Sequence, residues 1–405
     1  MSPTSRTLSQ AITRIAGSPT AALEAQVGAL RAAGEKVYRL GLGEPDFPPP
    51  AEVKDAAILA IQQNFNNYTH TAGIIELRRA AAARLRADLG AVYEPEEVVI
   101  SVGAKHALFN AAAVLLDPGD EVLIPVPYWV SFPEQIRFLG GKPVFVPTTA
   151  AAGYRISPAT LAPLVGPRTR FLILNSPNNP SGAVYPRAAL AELAAFCVER
   201  DIWVVSDEIY STFVYTPEGH ASIATFPGMR ERTIVVSAVS KTYGMTGWRI
   251  GYAAAPRPVA DAMVTLQSHL TSNPTAVAQR AALAALTGSQ EWLGPVLQEY
   301  RRRRGAMVDG VRAVLGLTCL DPDGAFFVWA DMSALIGRTV AGKRIETSDD
   351  LSAVLLSERR VAVMPGTGFG SKVHLRLSFA TTTDELTGGL ERMRELLGAA
   401  TVAAR

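Results

Sequence analysis

Lysine is used sparingly in this chain: seven lysines stand against thirty-two arginines in 405 residues. Cysteine is scarcer still. Cys197 and Cys319 cannot build a disulfide framework and show no metal-ligand spacing, which points to a reducing compartment and no metal centre. Neither sign of charge is in excess, since 39 Lys+Arg oppose 37 Asp+Glu for a net +2, so there is no reason to expect a polyanionic partner such as nucleic acid. No apolar run reaches membrane-spanning length, and Met1 to Gln10 is polar where a secretory leader needs an apolar core. These absences predict a cytoplasmic protein with no nucleic-acid or membrane partner. The one basic run, Arg301 to Arg304, falls in a helical pattern and reads as a solvated helix face.

The chain is too long for one compact core, so a large domain plus a smaller one is expected. Strand-like runs alternate with helical patterns at Val98 to Val102, Glu121 to Val126, Pro143 to Val146, Arg170 to Leu174, Ile202 to Ser206, Thr233 to Val239 and Ile250 to Ala254. Such alternation predicts an α/β fold with a mostly parallel sheet covered by helices on both faces. Later strands near Phe326 to Ala330, Val361 to Met364 and Val373 to Phe379 suggest a smaller α+β domain completed by the N-terminal segment, which includes a helix from Ala21 to Ala33. The expected division is residues 46–295 for the large domain, with 1–45 and 296–405 for the small one. Gly41-Leu42-Gly43-Glu44-Pro45 is a rigid connector and not a dinucleotide fingerprint, because the third glycine is missing and Pro45 forbids the receiving helix. The Gly366 to Lys372 segment lacks the residue order of a phosphate-binding loop and reads as a turn.

Ligands of such sheets bind at the carboxyl ends of the strands, and the informative residues stand there. Lys241 follows the buried run Thr233 to Val239, eight residues before Arg249. An amine can lose its proton and form an imine with a carbonyl, a task closed to guanidinium. Lys241 therefore reads either as a Schiff-base lysine, with Arg249 holding an anionic group of the same ligand, or as a surface lysine at a strand end. Asp207 ends the run from Ile202, where a carboxylate needs a cation, a helix cap or an ion pair. A protonated pyridine nitrogen would satisfy it, with Tyr210 three residues on as a donor to a ring oxygen or as a core tyrosine. Gly103-Ala104-Lys105 opens a helix and offers backbone N–H groups to a phosphate. Trp129 presents a ring face for stacking, or fills the core.

Taken together, these motifs resemble the class I pyridoxal-phosphate-dependent aminotransferases of fold type I, closest to the prokaryotic aspartate aminotransferase branch. The resemblance runs through Gly43-Glu44-Pro45-Asp46-Phe47, Tyr68, Asn175-Ser176-Pro177-Asn178-Asn179-Pro180-Ser181-Gly182, Ser206-Asp207-Glu208-Ile209-Tyr210, Ser240-Lys241, Met245-Thr246-Gly247-Trp248-Arg249-Ile250-Gly251 and Arg376. It implies a large domain with a seven-stranded, mostly parallel sheet and a homodimer with shared active sites. It also implies pyridoxal 5'-phosphate joined to Lys241 as an imine, with Asp207 at the ring nitrogen, Tyr210 and Asn179 at the phenolic oxygen and Trp129 stacked on the ring. Gly103, Ala104 and Lys105, with Ser240, Arg249 and Tyr68 of a second subunit, would hold the phosphate. Arg376, Asn179 and the Gly43 backbone would hold the substrate's α-carboxylate. One departure from the pattern is Ala238, three residues before the lysine, where a hydroxyl or glycine is usual.

The implied activity moves an α-amino group from an amino acid to a 2-oxo acid such as 2-oxoglutarate by a ping-pong route. Lys105 resembles a lysine that binds a side-chain carboxylate, which favours aspartate or another dicarboxylate. The same framework serves aromatic amino acids, prephenate, alanine or arginine in related branches, and it supports carbon–sulfur β-lyases. A non-catalytic cofactor-bound regulator is the remaining alternative, and the short polar arm leaves no room for its DNA-binding domain.

Overall fold

The structure, a computed structural model, describes residues 8–402, so most of the polar Met1 to Gln10 stretch lies outside the described residues. Seven strands form the principal sheet: β1 (Val98–Ser101), β2 (Glu121–Pro125), β3 (Lys142–Val146), β4 (Thr169–Asn175), β5 (Trp203–Asp207), β6 (Thr233–Ala238) and β7 (Gly251–Ala254). Their spatial order is β1-β7-β6-β5-β4-β2-β3, and only β7 runs antiparallel to its neighbours. Every residue of β1, β6 and β7 is buried, which is why these segments read as continuous apolar runs without alternation. Helices cover both faces, with Ala104–Leu115 packed beside Arg257–Leu270 on one side and Ala276–Thr287 beside Ile75–Leu89 on the other.

A second sheet of four antiparallel strands has the order Met364–Pro365, His374–Ser378, Phe327–Asp331, Thr318–Cys319. The helices Leu293–Arg312 and Thr383–Val402 pack on it around a core rich in Phe326, Phe327 and Phe379. The expected strand from Val361 to Met364 is divided. Val361–Ala362 pairs in parallel with Tyr38–Arg39, a strand that the sequence pattern did not suggest, while Met364–Pro365 pairs with the strand carrying Arg376. Tyr38 and Leu40 thus join the second core, while Leu23 and Val27 of the N-terminal helix pack with Val130, Trp329 and Met364. Gly366–Phe369 is a short helical turn closed by Gly370 in the left-handed region at φ 88°, so the turn assignment stands.

The basic run is solvated only in part: Arg301 and Arg302 are exposed, as expected, whereas Arg303 and Arg304 are half-buried, Arg303 reaching Asp46 and Arg304 donating to the Pro322 carbonyl. Helical periodicity points residues three apart to one side, and a long arginine can lie along the protein surface to find a distant acceptor. Among the described residues, no helix is long and apolar enough to cross a membrane.

Candidate active site

The carboxyl ends of β4, β5 and β6 open on a cavity of about 490 Å³, lined by Lys241, Asp207, Tyr210, Asn179, Ser240, Ala104, Lys105, Trp129, Arg249, Gly43 and Arg376. Lys241 sits in the one-turn helix Val239–Thr242 that begins where β6 stops. Its Nζ donates to the Gly43 carbonyl at 2.5 Å, and burial lowers its pKa to about 8, with Glu44 and Asp207 resisting the shift and Arg376 and Arg249 adding to it. Roughly a tenth of this amine is therefore neutral at pH 7, far more than for an ordinary lysine, and able to act as a nucleophile.

Asp207 closes β5 and is 5% exposed. Its carboxylate receives one backbone bond, from Ile209 N at 3.3 Å, and burial pushes its pKa up to about 7 against that bond. A carboxylate this short of donors calls for a cation in the cavity. The adjacent Glu208, one residue past the strand, is bound elsewhere. It receives Ser206 Oγ at 2.8 Å and Ser222 Oγ at 2.6 Å and lies 2.7 Å from His220 Nε2, a buried network that spans the loop bearing Tyr210.

Tyr210 is buried, its ring edge-on to Phe326 and Phe327, and its hydroxyl accepts from Asn179 Nδ2 at 3.4 Å. Burial holds its pKa far above the usual range, so it is a neutral donor. Asn179 is held in turn by its own N–H on the Asn175 side chain at 2.8 Å. Arg376, in the second sheet, is 2% exposed and stacks over Phe327 and Phe369 at 4.4 and 5.0 Å. Burial lowers its pKa to about 10, which leaves it charged at neutral pH. It donates to Asn179 at 2.9 Å and to the Gly41 carbonyl at 2.8 Å, while its Nε is buried with no partner among the described residues. A buried guanidinium with an unused N–H at a cavity wall is suited to a carboxylate.

Gly103, at φ 79°, precedes the helix Ala104–Leu115, whose N-terminus opens on the cavity through Ala104 and Lys105. A Cβ at Gly103 would lie 2.4 Å from Arg249 Nη2, so only glycine lets the guanidinium approach the helix start. Arg249 is itself left-handed at φ 56°, and it donates to the Thr246 carbonyl at 2.8 Å. Helix N-terminus and guanidinium together make an anion cradle. Ser240 lines this cavity, whereas Ala238 lines a separate small pocket with Tyr243. Lys105 Nζ stands 5.1 Å above the Trp129 ring, its pKa lowered by burial and by Arg249.

Gly103 lies just behind the lining, and Tyr68, implied as a contribution from a second subunit, is 91% exposed and does not line the cavity of its own chain. Conversely, the sequence reading missed Ser18, Thr20 and Glu24, which line the cavity from the helix Pro19–Ala32. Its start was legible in Ser18-Pro19, a capping residue followed by proline at the first helical position. Nothing in the pattern says that this helix meets the ends of β4 to β6.

The match to the family described as aminotransferase class I and II covers residues 35–393. The aspartate aminotransferase of Geobacillus stearothermophilus is 42% identical over 393 residues, covering 97% of this chain and 99% of that one. The crystal structure of the aspartate aminotransferase from Rhizobium meliloti superposes with a TM-score of 0.93 at 39% identity, covering 97% of this chain and 99% of that chain. The aspartate aminotransferase from Thermus thermophilus with maleate gives 0.90 at 42% identity, covering 97% of this chain and 100% of that chain. The chain therefore belongs to the class I and II aminotransferases and is a transaminase of fold type I.

Proposed function

We propose that the protein is an aspartate aminotransferase that binds pyridoxal 5'-phosphate and transfers the amino group of aspartate, or a related dicarboxylic amino acid, to 2-oxoglutarate. One observation carries the reading: Lys241, Asp207 and Arg376 share a single cavity with Lys105. The residues fit the cofactor. Among the described residues Asp207 has no ion-pair partner and Arg376 keeps a buried donor unused, and the Gly103–Arg249 cradle suits a phosphate. Aspartate aminotransferase names among the relatives support the same substrate.

When bound, pyridoxal phosphate supplies an aldehyde that condenses with amines and a ring that accepts the electron pair left at Cα. The chain's own residues do the rest. Asp207 would keep the ring nitrogen protonated, Tyr210 and Asn179 Nδ2 would bond the phenolic oxygen, and Trp129 would cover one ring face. The N–H groups of Ala104 and Lys105, with Ser240 and Arg249, would hold the phosphate, joined by Tyr68 of a second subunit. Arg376 and the Gly43 N–H would orient the α-carboxylate so that the Cα proton faces Lys241. The Lys241 amine, once free, takes that proton and returns it, with a lowered pKa suited to both directions. We further assign residues 46–295 to a large domain, with 1–45 and 296–405 in a small one, and the protein to a cytoplasmic homodimer.

The experiment is a panel of amino donors, including aspartate, alanine, phenylalanine and arginine, with 2-oxoglutarate and pyruvate as acceptors and with prephenate tested as an alternative acceptor. Aspartate with 2-oxoglutarate is expected to give the highest kcat/KM, with ping-pong kinetics. Release of ammonia and pyruvate without an acceptor would make the protein a lyase instead.

A further inference from the structure

The connector from Leu40 to Phe47 touches both halves of the site, yet its firmest anchor lies outside it. Leu40 O accepts from Ser378 N at 2.6 Å and Gly41 O from Arg376 Nη2 at 2.8 Å, so the connector begins along the strand that carries Arg376. Gly43 O receives Lys241 Nζ. Farther on, a Cβ at Gly244 would lie 2.4 Å from Phe47 O, so the connector ends against the turn that follows Lys241. Pro45 stiffens this segment locally, but with no strand or helix ladder beyond Gly41 its placement between the two sheets is not set by its own backbone. Something else must fix it.

Asp46 does not line the cavity. Its Oδ1 accepts from Tyr300 Oη at 3.0 Å and its Oδ2 from Arg303 Nη1 at 2.6 Å. Both partners stand on the helix Leu293–Arg312, Tyr300 at 1% exposure among Phe47, Phe213 and Phe326, and Arg303 held by Glu299 at 2.7 Å. A carboxylate accepting from a buried phenol and a fixed guanidinium is a strong, directional anchor. We infer that Asp46 is a positioning residue for carboxylate recognition: clamped by Tyr300 and Arg303, it fixes the connector so that the Gly41 carbonyl aims the Arg376 guanidinium into the cavity. The inference rests on the reading of Arg376 as the anchor of the substrate's α-carboxylate.

The test titrates the cofactor-loaded enzyme with maleate, an unreactive dicarboxylate, by calorimetry. Tyr300→Phe keeps the ring in its aromatic cluster and removes one donor, and Asp46→Asn keeps the shape and removes the charge. Each is expected to raise the maleate Kd about fivefold to tenfold. The double variant should fall short of the product, since both act through one clamp. Reaction of the bound cofactor with hydroxylamine, which has no carboxylate, should be unchanged. A maleate Kd unmoved in both single variants overturns the inference, as does an equal loss towards hydroxylamine, which would make the clamp a general scaffold. Arg376→Lys, titrated alongside, separates the two levels. If it binds maleate as the wild type does, the reading of Arg376 itself fails, whereas a loss confined to Arg376→Lys overturns only the role of Asp46.

Discussion

Arg376 Nη1 donates to the Asn179 side-chain oxygen at 2.9 Å, joining the four-stranded sheet to the loop after β4. The same amide donates its nitrogen to Tyr210 Oη at 3.4 Å, so one asparagine faces a cation on one side and a phenol on the other. That arrangement fixes which end of the amide points where, since only the oxygen can accept from a guanidinium. A group proposed to meet the substrate and a group proposed to meet the cofactor are thereby set at a defined separation before either ligand binds.

Lys241 is the residue that the mechanism cannot replace. The purified protein is expected to be yellow, and borohydride followed by peptide mapping should leave the cofactor on Lys241 and on none of the other six lysines. Lys241→Ala should retain noncovalent cofactor while turnover falls by at least ~10²-fold to ~10⁴-fold, the usual contribution of a positioned proton-transfer group. Wild-type single-turnover rates in this variant would remove Lys241 from the proton transfer.

Asp207 gives a prediction of opposite sign for the protein with and without cofactor. Without it, burial holds the folded pKa at about 7 against an ordinary 3.8. Between those values the folded chain keeps a proton that the unfolded chain has lost, so this group's contribution to stability falls as pH rises through the window and is level above it. The cofactor-free Asp207→Asn variant should therefore melt several degrees above wild type at pH 8, with the gap closing towards pH 4. In the loaded enzyme the order should reverse, and kcat should drop by at least the ~3 kcal/mol typical of removing a preorganised electrostatic partner. Identical melting profiles for the two cofactor-free proteins would show that Asp207 is not held protonated by burial.

How much of this was legible in advance varies with the kind of residue. Lys241, Asp207 and Gly103 could be located because each directly follows or ends an apolar run, and a strand end is a local property of the sequence. Arg376 and Asn179 could be assigned roles only through family likeness, since nothing local shows that residues 197 apart share a hydrogen bond. Ser18, Thr20 and Glu24 escaped for the same reason. Whether a helix faces a cavity depends on where the whole helix docks.

Lys105 is the residue expected to select the substrate's far end. Its ammonium stands over Trp129 at the cavity wall, and a charge-assisted bond to a distal carboxylate contributes ~1.5 to ~3 kcal/mol. Lys105→Ser should lower kcat/KM for aspartate and glutamate by roughly ten- to a hundredfold while leaving alanine and phenylalanine nearly unchanged. Equal losses for acidic and neutral donors would assign Lys105 to the cofactor or to stability.

The proposed role of Tyr68 at the phosphate requires a second subunit. At 91% exposure it is free to reach a neighbour, and the helix Ala51–Gln62 beside it in sequence exposes Ile58, Leu59 and Ile61. Sedimentation should give a dimer, and Tyr68→Phe should raise the cofactor's dissociation constant about fivefold, as expected for one lost hydrogen bond to a charged group. A monomer that turns over at full rate would exclude a shared site.

The way the two sheets end has a consequence for the chain while it is being made. In the four-stranded sheet both outer strands, Met364–Pro365 and Thr318–Cys319, are two residues long, and one of them contains a proline that cannot donate to a ladder. The outer strand β3 of the larger sheet carries Lys142 and Pro143, a charge and a second missing donor. Short, charged or proline-bearing borders give another chain little to zip onto. At three of the four outer strands of these sheets a nascent copy thus offers little to pair with, whereas the fourth, β1, is apolar and is protected only by being buried in the finished fold.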